Sequence, residues 1–194
     1  LPAWCEENHT TTDDALIILG DACIMYYDQE NIRERMLKEF IAYQPITLLC
    51  VRGNHEARPS NYSSTQFKVW EDDPIIPSGV YFEPDYPNIL YIADGSTFSL
   101  NGKRCLAIGG AYSVDKEYRL LMKLRWFADE ELTDEEMDDI LDKIDHQSFD
   151  YVFTHTCPED WQPTDLFLSG INQSKVSKRM EQFLTTVSEI IDFK

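Results

Sequence analysis

Three short apolar runs, each ending at a side chain able to bind a metal, constrain this chain more than anything else in it. Ala15-Leu16-Ile17-Ile18-Leu19 runs into Gly20-Asp21. Leu48-Leu49-Cys50-Val51 runs into Arg52-Gly53-Asn54-His55-Glu56, and Tyr151-Val152-Phe153-Thr154 runs into His155. Short apolar, β-favouring runs read as buried strands. Each delivers its polar residue just past the C-terminal end, the edge at which open α/β sheets bind ligands. An Asp, an Asn-His pair and a His form a mixed oxygen and nitrogen set, which points to a metal site.

The rest of the chain alternates strand and helix patterns, which predicts an α/β fold. Strands are expected at 15–19, 46–51, 89–93, 96–100, 104–109 and 150–154. Asn101-Gly102 between two of them is a strong hairpin signal, so part of the sheet is antiparallel. A helix over roughly 30–43 is expected to bury Ile32, Met36, Leu37, Phe40 and Ile41. A second, over 133–145, opens on Thr133-Asp134-Glu135-Glu136, which has capping-box spacing, and carries the stripe Met137, Ile140, Leu141 and Ile144. A third, over 174–191, turns Val176, Met180, Phe183, Leu184, Val187 and Ile191 inward. These stripes are core rather than a cofactor box. Between 57 and 88, Pro59, Pro74, Pro77, Pro84 and Pro87 mark a looping region expected to form a substrate-facing rim.

At 194 residues the chain is expected to be one domain, 1–194. No run approaches the ~20 apolar residues of a membrane span, and no signal-peptide pattern opens the sequence. Five scattered cysteines, odd in number and without a CxxC, argue for reduced thiols and a cytoplasmic setting. The net charge of −18 disfavours nonspecific binding to nucleic acid or anionic membrane. For a phosphate substrate, divalent cations would invert the local field. Nine of the fourteen residues from Asp129 to Asp142 are acidic, but no DxDxDG pattern appears, so this reads as a solvated helix face rather than a calcium loop.

Taken in order, Gly20-Asp21, Gly53-Asn54-His55-Glu56 and Thr154-His155 resemble the motifs of the calcineurin-like metallophosphoesterases. The string Gly109-Gly110-Ala111-Tyr112-Ser113-Val114-Asp115-Lys116, followed by Arg125-Trp126-Phe127 and Glu130-Glu131, is similar to a bacterial and phage subgroup. The resemblance implies a four-layer α-β-β-α sandwich of two mixed sheets flanked by helices. It implies two divalent metal ions, drawn from manganese, iron, nickel and zinc, and a phosphate ester substrate attacked by a metal-bridging hydroxide. Asp21 matches the bridging carboxylate, Asn54 and His155 match ligands of the second metal, and His55 matches the histidine that acts on substrate as general acid. Glu56 would orient His55 or a neighbouring loop. Two family motifs, an initial Asp-x-His and a terminal Gly-His-x-His, are not in the sequence. Both would fall just outside it, so the domain is expected to be incomplete at both termini, with the first metal short of most of its protein ligands.

Each of these residues has a plainer reading when taken alone. Asp21 could cap a turn, Asn54 could sit in one, and His155 could be a structural histidine; their joint order favours the site. In protein serine/threonine phosphatases an Arg precedes the same string and contacts phosphate; here Arg52 either does likewise or pairs with nearby acids. A protein phosphatase is the alternative reading, against which Gly20-Asp21-Ala22-Cys23-Ile24 lacks the second Asp and the Arg of Gly-Asp-x-x-Asp-Arg-Gly. A non-catalytic member of the fold is the other. His9 and His146 read as surface residues, Gly109-Gly110 as a close backbone approach, and Cys157 as no nucleophile, for want of a basic partner.

Overall fold

The structure, a computed structural model, describes residues 1–27, 31–69, 79–167 and 172–193. Pro74 and Pro77 of the expected rim lie outside the described residues. Among those described, the order is α1 (Pro2–Asn8), β1 (Ala15–Leu19), α2 (Ile32–Ala42), β2 (Thr47–Val51), β3 (Gln66–Lys68), β4 (Val80–Phe82), β5 (Ile89–Ile92), β6 (Ser96–Leu100) and β7 (Lys103–Ile108). There follow α3 (Lys116–Leu121), α4 (Asp134–Ile144), β8 (Ser148–Phe149), β9 (Tyr151–Thr154), α5 (Arg179–Ile190) and β10 (Asp192–Phe193), with short 3-10 turns between.

Two mixed sheets form. The first runs β1-β2-β5-β4-β3, with β1, β2 and β5 parallel and the other two joined antiparallel. The second runs β6-β7-β9; β6 is antiparallel to β7 across Asn101-Gly102, and β9 is parallel to it. A small parallel pair, β8 with β10, completes the set.

Side-chain alternation divides these sheets into layers. Along β2, Leu49 and Val51 join Leu90 and Ile92 of β5 and Cys105 and Ala107 of β7 in one cluster, so the sheets face each other there. The intervening residues, Leu48, Cys50, Ile89 and Tyr91, point the other way, toward Ile41 and Leu37 of α2. On the second sheet, Leu106 and Ile108 pack outward on Met137, Ile140 and Ile144 of α4 and Met180, Phe183, Leu184 and Val187 of α5. The period of two forces this result: a strand apolar on both faces must be covered on both. The fold is therefore an α-β-β-α sandwich of two mixed sheets, as the resemblance implied.

α4 begins as its spacing predicts. The Thr133 hydroxyl accepts from the Glu136 backbone N–H at 3.2 Å, and the Glu136 carboxylate accepts from the Thr133 N–H at 2.8 Å. α5 starts later than expected, at Arg179, and leaves Val176 in the preceding segment.

The inward face expected for α2 is wrong in part. Met36 is 60% exposed, and Ile32 and Phe40 are also exposed, whereas Glu34 and Lys38 are buried with Ile41. The Lys38 ammonium lies 3.0 Å from Glu34 and 2.6 Å from Glu83, beneath the rings of Tyr62 and Tyr86. An ion cluster between helix and sheet thus takes the place of an apolar stripe.

Candidate metal centre

The three apolar runs end side by side. After β1 the chain turns through Gly20 (φ 90°) and Asp21 (φ 54°), both in the left-handed region. A non-glycine residue there is uncommon, and such strain gathers where surrounding structure holds a side chain in place. The glycines make room. A Cβ on Gly20 would stand 2.1 Å from His155 Nδ1, and one on Gly53 would stand 2.1 Å from Asp21 Oδ1. Glu56 locks the two turns together. It is buried, and its Oε1 accepts from Gly53 N at 3.0 Å and from Ala22 N at 3.2 Å. Burial pushes its carboxyl up, against the pull of those backbone donors.

The orientation of Asn54 is set from further off. Ser113, fully buried, donates its hydroxyl to Glu130 Oε2 at 2.5 Å and its backbone N–H to Oε1 at 3.0 Å. Trp126 also donates to that carboxylate, at 2.8 Å. With its proton committed, Ser113 Oγ accepts from Asn54 Nδ2 at 2.8 Å. The amide oxygen of Asn54 is thereby turned the other way, to 2.8 Å from His155 Nε2.

His155 is fixed just as firmly. Its Nδ1 lies 2.7 Å from the Leu19 carbonyl oxygen. A carbonyl can only accept, so Nδ1 carries a proton and Nε2 is the ring nitrogen that faces inward. Asp21 Oδ1 stands 3.8 Å from that nitrogen. It also accepts from His55 N at 3.0 Å. Three electron-rich atoms, Asp21 Oδ1, Asn54 Oδ1 and His155 Nε2, converge, and a proton or a cation must lie among them. Two oxygens and an imidazole nitrogen suit a first-row divalent ion. Among the described residues no group of three His, Cys, Asp or Glu could hold a metal; the set here reaches three through an amide.

His55 stands beside this trio, and its nitrogens have other partners. Nε2 lies 3.3 Å from Asp115 Oδ1, and Nδ1 lies 3.0 Å from the Arg119 guanidinium and 3.5 Å from Asp21 Oδ2. A guanidinium only donates, so the pair places the ring proton on Nε2. Arg119 also holds Asp115 at 2.8 Å and the Arg125 carbonyl at 3.0 Å. Burial raises the Asp115 carboxyl, but Arg119 and then His55 outweigh it and hold the group below its usual range.

Arg52 is not brought to the trio. Its buried guanidinium donates to Asp94 at 2.9 Å and to the Glu130 carbonyl at 2.8 Å, while Asp94 accepts from Gly109 N at 2.7 Å. That is the acid-paired setting of the two open to it, and it braces the Glu130 that aims Ser113. His9 and His146 are exposed. Burial, with Glu181, pushes the Cys157 thiol up, so it is a poor nucleophile. All five cysteines are free.

The family model for calcineurin-like phosphoesterase matches residues 3–185. The chain belongs to that family. No curated protein and no solved structure matches it. Membership in the calcineurin-like phosphoesterases supports phosphate ester hydrolysis with divalent metals as the general activity. Among the described residues no helix is long and apolar enough to cross a membrane. Sequence reasoning gave no role to Ser113, Asp115, Arg119 or Glu130. The string holding Ser113 and Asp115, and Glu130-Glu131 after it, had marked the resemblance, but nothing in them says which side chain faces the site.

Proposed function

We propose that this protein is a metal-dependent phosphoesterase acting on phosphate mono- or diesters at a centre of two divalent cations. The observation that carries this reading is the convergence of Asp21 Oδ1, Asn54 Oδ1 and His155 Nε2, three acceptors whose other partners point them at one another. Asp21, Asn54 and His155 would be the residues that hold the cations. When bound, the cations supply an activated water and neutralise phosphoryl charge.

The chain's own residues do the rest. His55, with Asp115 beside it, is the group that acts on the leaving oxygen: as a proton donor when the ring is doubly protonated, and as an N–H hydrogen-bond donor to the charge developing there when it is neutral. Arg119 keeps that ring in place and adds positive charge at the rim. Glu56 and the Ser113–Glu130 pair hold the two ligand loops. In a chain of charge −18, cations at this edge are also what draws an anionic substrate in.

The test is elemental analysis of the purified protein, with hydrolysis of p-nitrophenyl phosphate measured before and after chelation and metal return. The expected result is bound manganese, iron, nickel or zinc, and a rate lost on chelation and regained with metal. Hydrolysis that is indifferent to chelation, or an Asp21→Ala variant with full metal content, overturns it.

A further inference from the structure

A cavity of about 400 Å³ adjoins the candidate centre, and His155 is common to both. One side of its ring meets Asn54 and Asp21; the residue also lines the cavity, whose wall is otherwise largely apolar, with Tyr112, Val114, Leu166, Phe167 and Val176. We infer that this cavity is the subsite for the organic half of the ester, and that it takes an uncharged, flat apolar group such as an aryl or heteroaryl methyl alcohol. The inference rests on the phosphoesterase reading and adds to it a substrate class.

Two observations set the class. First, a phosphoryl group at the trio must place its leaving group to one side of it, and a space of this size lies beside His155. Apolar walls favour a ring over a small polar alcohol by removing ring surface from water. Second, no uncommitted positive charge lies among the described residues that line the cavity. Its cation, Lys178, is ion-paired with Glu159 at 2.8 Å. Glu181, 7% exposed, also lines the cavity. One of its carboxylate oxygens accepts from the Thr156 hydroxyl at 2.8 Å, and the other is buried with no hydrogen-bond partner among the described residues. With Lys178 already paired, a carboxylate in the wall repels a second anionic group. Polyphosphorylated and carboxylated alcohols are thereby disfavoured.

The probes are methyl, benzyl and 4-carboxybenzyl phosphate, alkyl esters with leaving groups of similar basicity, so that differences report binding. With metal supplied, kcat/KM should rise about tenfold or more from methyl to benzyl, the worth of burying one ring. The gain should vanish with the carboxylate. Val176→Trp, which fills the cavity, should abolish the gain and leave methyl phosphate unchanged; Phe167→Ala should reduce it from the other wall. Circular dichroism confirms that each variant is folded. No trend with ring size, equal rates for the carboxylated ester, or equal loss on all esters in both variants overturns the proposal.

A readout without turnover separates the two readings. Binding of 2-naphthylmethanol, followed by ligand-observed NMR, should be seen in the wild type and lost in Val176→Trp. If no ester is hydrolysed but this binding is present and lost as stated, the phosphoesterase reading falls and the cavity stands. If naphthylmethanol does not bind, the cavity assignment is wrong whatever the enzyme does.

Discussion

His155 gives its Nδ1 proton to the carbonyl oxygen of Leu19, 2.7 Å away, so the last residue of β1 fixes the tautomer of a ring at the end of β9. The two strands belong to different sheets. Metal-ligating histidines are commonly held by such a bond, which sets the ring and raises its basicity. Asn54 has its counterpart in Ser113.

That second bond gives the first prediction. Ser113→Ala removes the acceptor that turns the Asn54 amide, so the amide can rotate and present nitrogen to the centre. Metal affinity, measured by calorimetric titration, should fall about 10–100-fold, as for other partners of metal ligands. Asn54→Ala should lose more. A Ser113→Ala protein with unchanged affinity shows that the amide needs no such support.

His55 should behave in the opposite way. His55→Ala is expected to keep its metal, because the ring faces Asp115 and Arg119 and lies outside the trio of converging acceptors. Its rate should drop by about 10²–10⁴-fold, the usual worth of a positioned acid. The loss should be smaller for p-nitrophenyl phosphate than for an alkyl phosphate, since a good leaving group needs little protonation. Loss of metal, or equal harm with both esters, refutes the role.

Gly53→Ala tests the close approach of the two turns. The new Cβ would stand 2.1 Å from Asp21 Oδ1, so either the carboxylate or the Asn54 loop must move. Overpacking of this kind costs about 1–3 kcal/mol, and the centre should lose metal as well. Urea denaturation and elemental analysis read both effects; a variant normal in each would mean the turns yield easily.

The ion cluster beneath α2 predicts a large effect far from the centre. Lys38→Met leaves Glu34 and Glu83 buried without their cation. Breaking a buried pair on one side costs about 3–5 kcal/mol. Replacing all three residues with apolar ones should recover most of that loss. Urea denaturation of both variants decides it, and a loss under about 1 kcal/mol would show the cluster to be wet.

Glu136 supplies a pH dependence. Burial raises its carboxyl, but Arg58 and then Thr133 outweigh that and hold it below its usual range. A depressed carboxyl stabilises the fold above its ordinary value, and the benefit is lost as pH falls through the lower, folded-state value. Glu136→Gln keeps the capping box and removes the charge. It should be less stable than wild type by at most about 1 kcal/mol at neutral pH, because the pair is partly exposed. Melting curves should converge only once the pH lies below that lowered, folded-state value; a gap that persists there comes from packing, not charge.

The order of motifs, the continuous apolar runs that became β1, β2 and β9, and the Thr133–Glu136 box were all legible in the sequence. Each is a local pattern, and a local pattern limits local structure: a strand that is apolar at successive positions has to be covered on both faces. The short strands β3, β4, β8 and β10 were not legible, because two or three residues carry no period. Tertiary structure alone decided which face α2 buries, since Lys38 goes inward only because Glu83 is waiting on the loop after β4. It alone decided that Arg52 turns to Asp94, that Ser113 aims Asn54, and that Asp115 and Arg119 flank His55. A hydrogen bond has a direction that depends on what its partner already holds, and those partners lie tens of residues apart. The sequence determined which chemistry the strand ends carry; the packing of two sheets determined where each lone pair points.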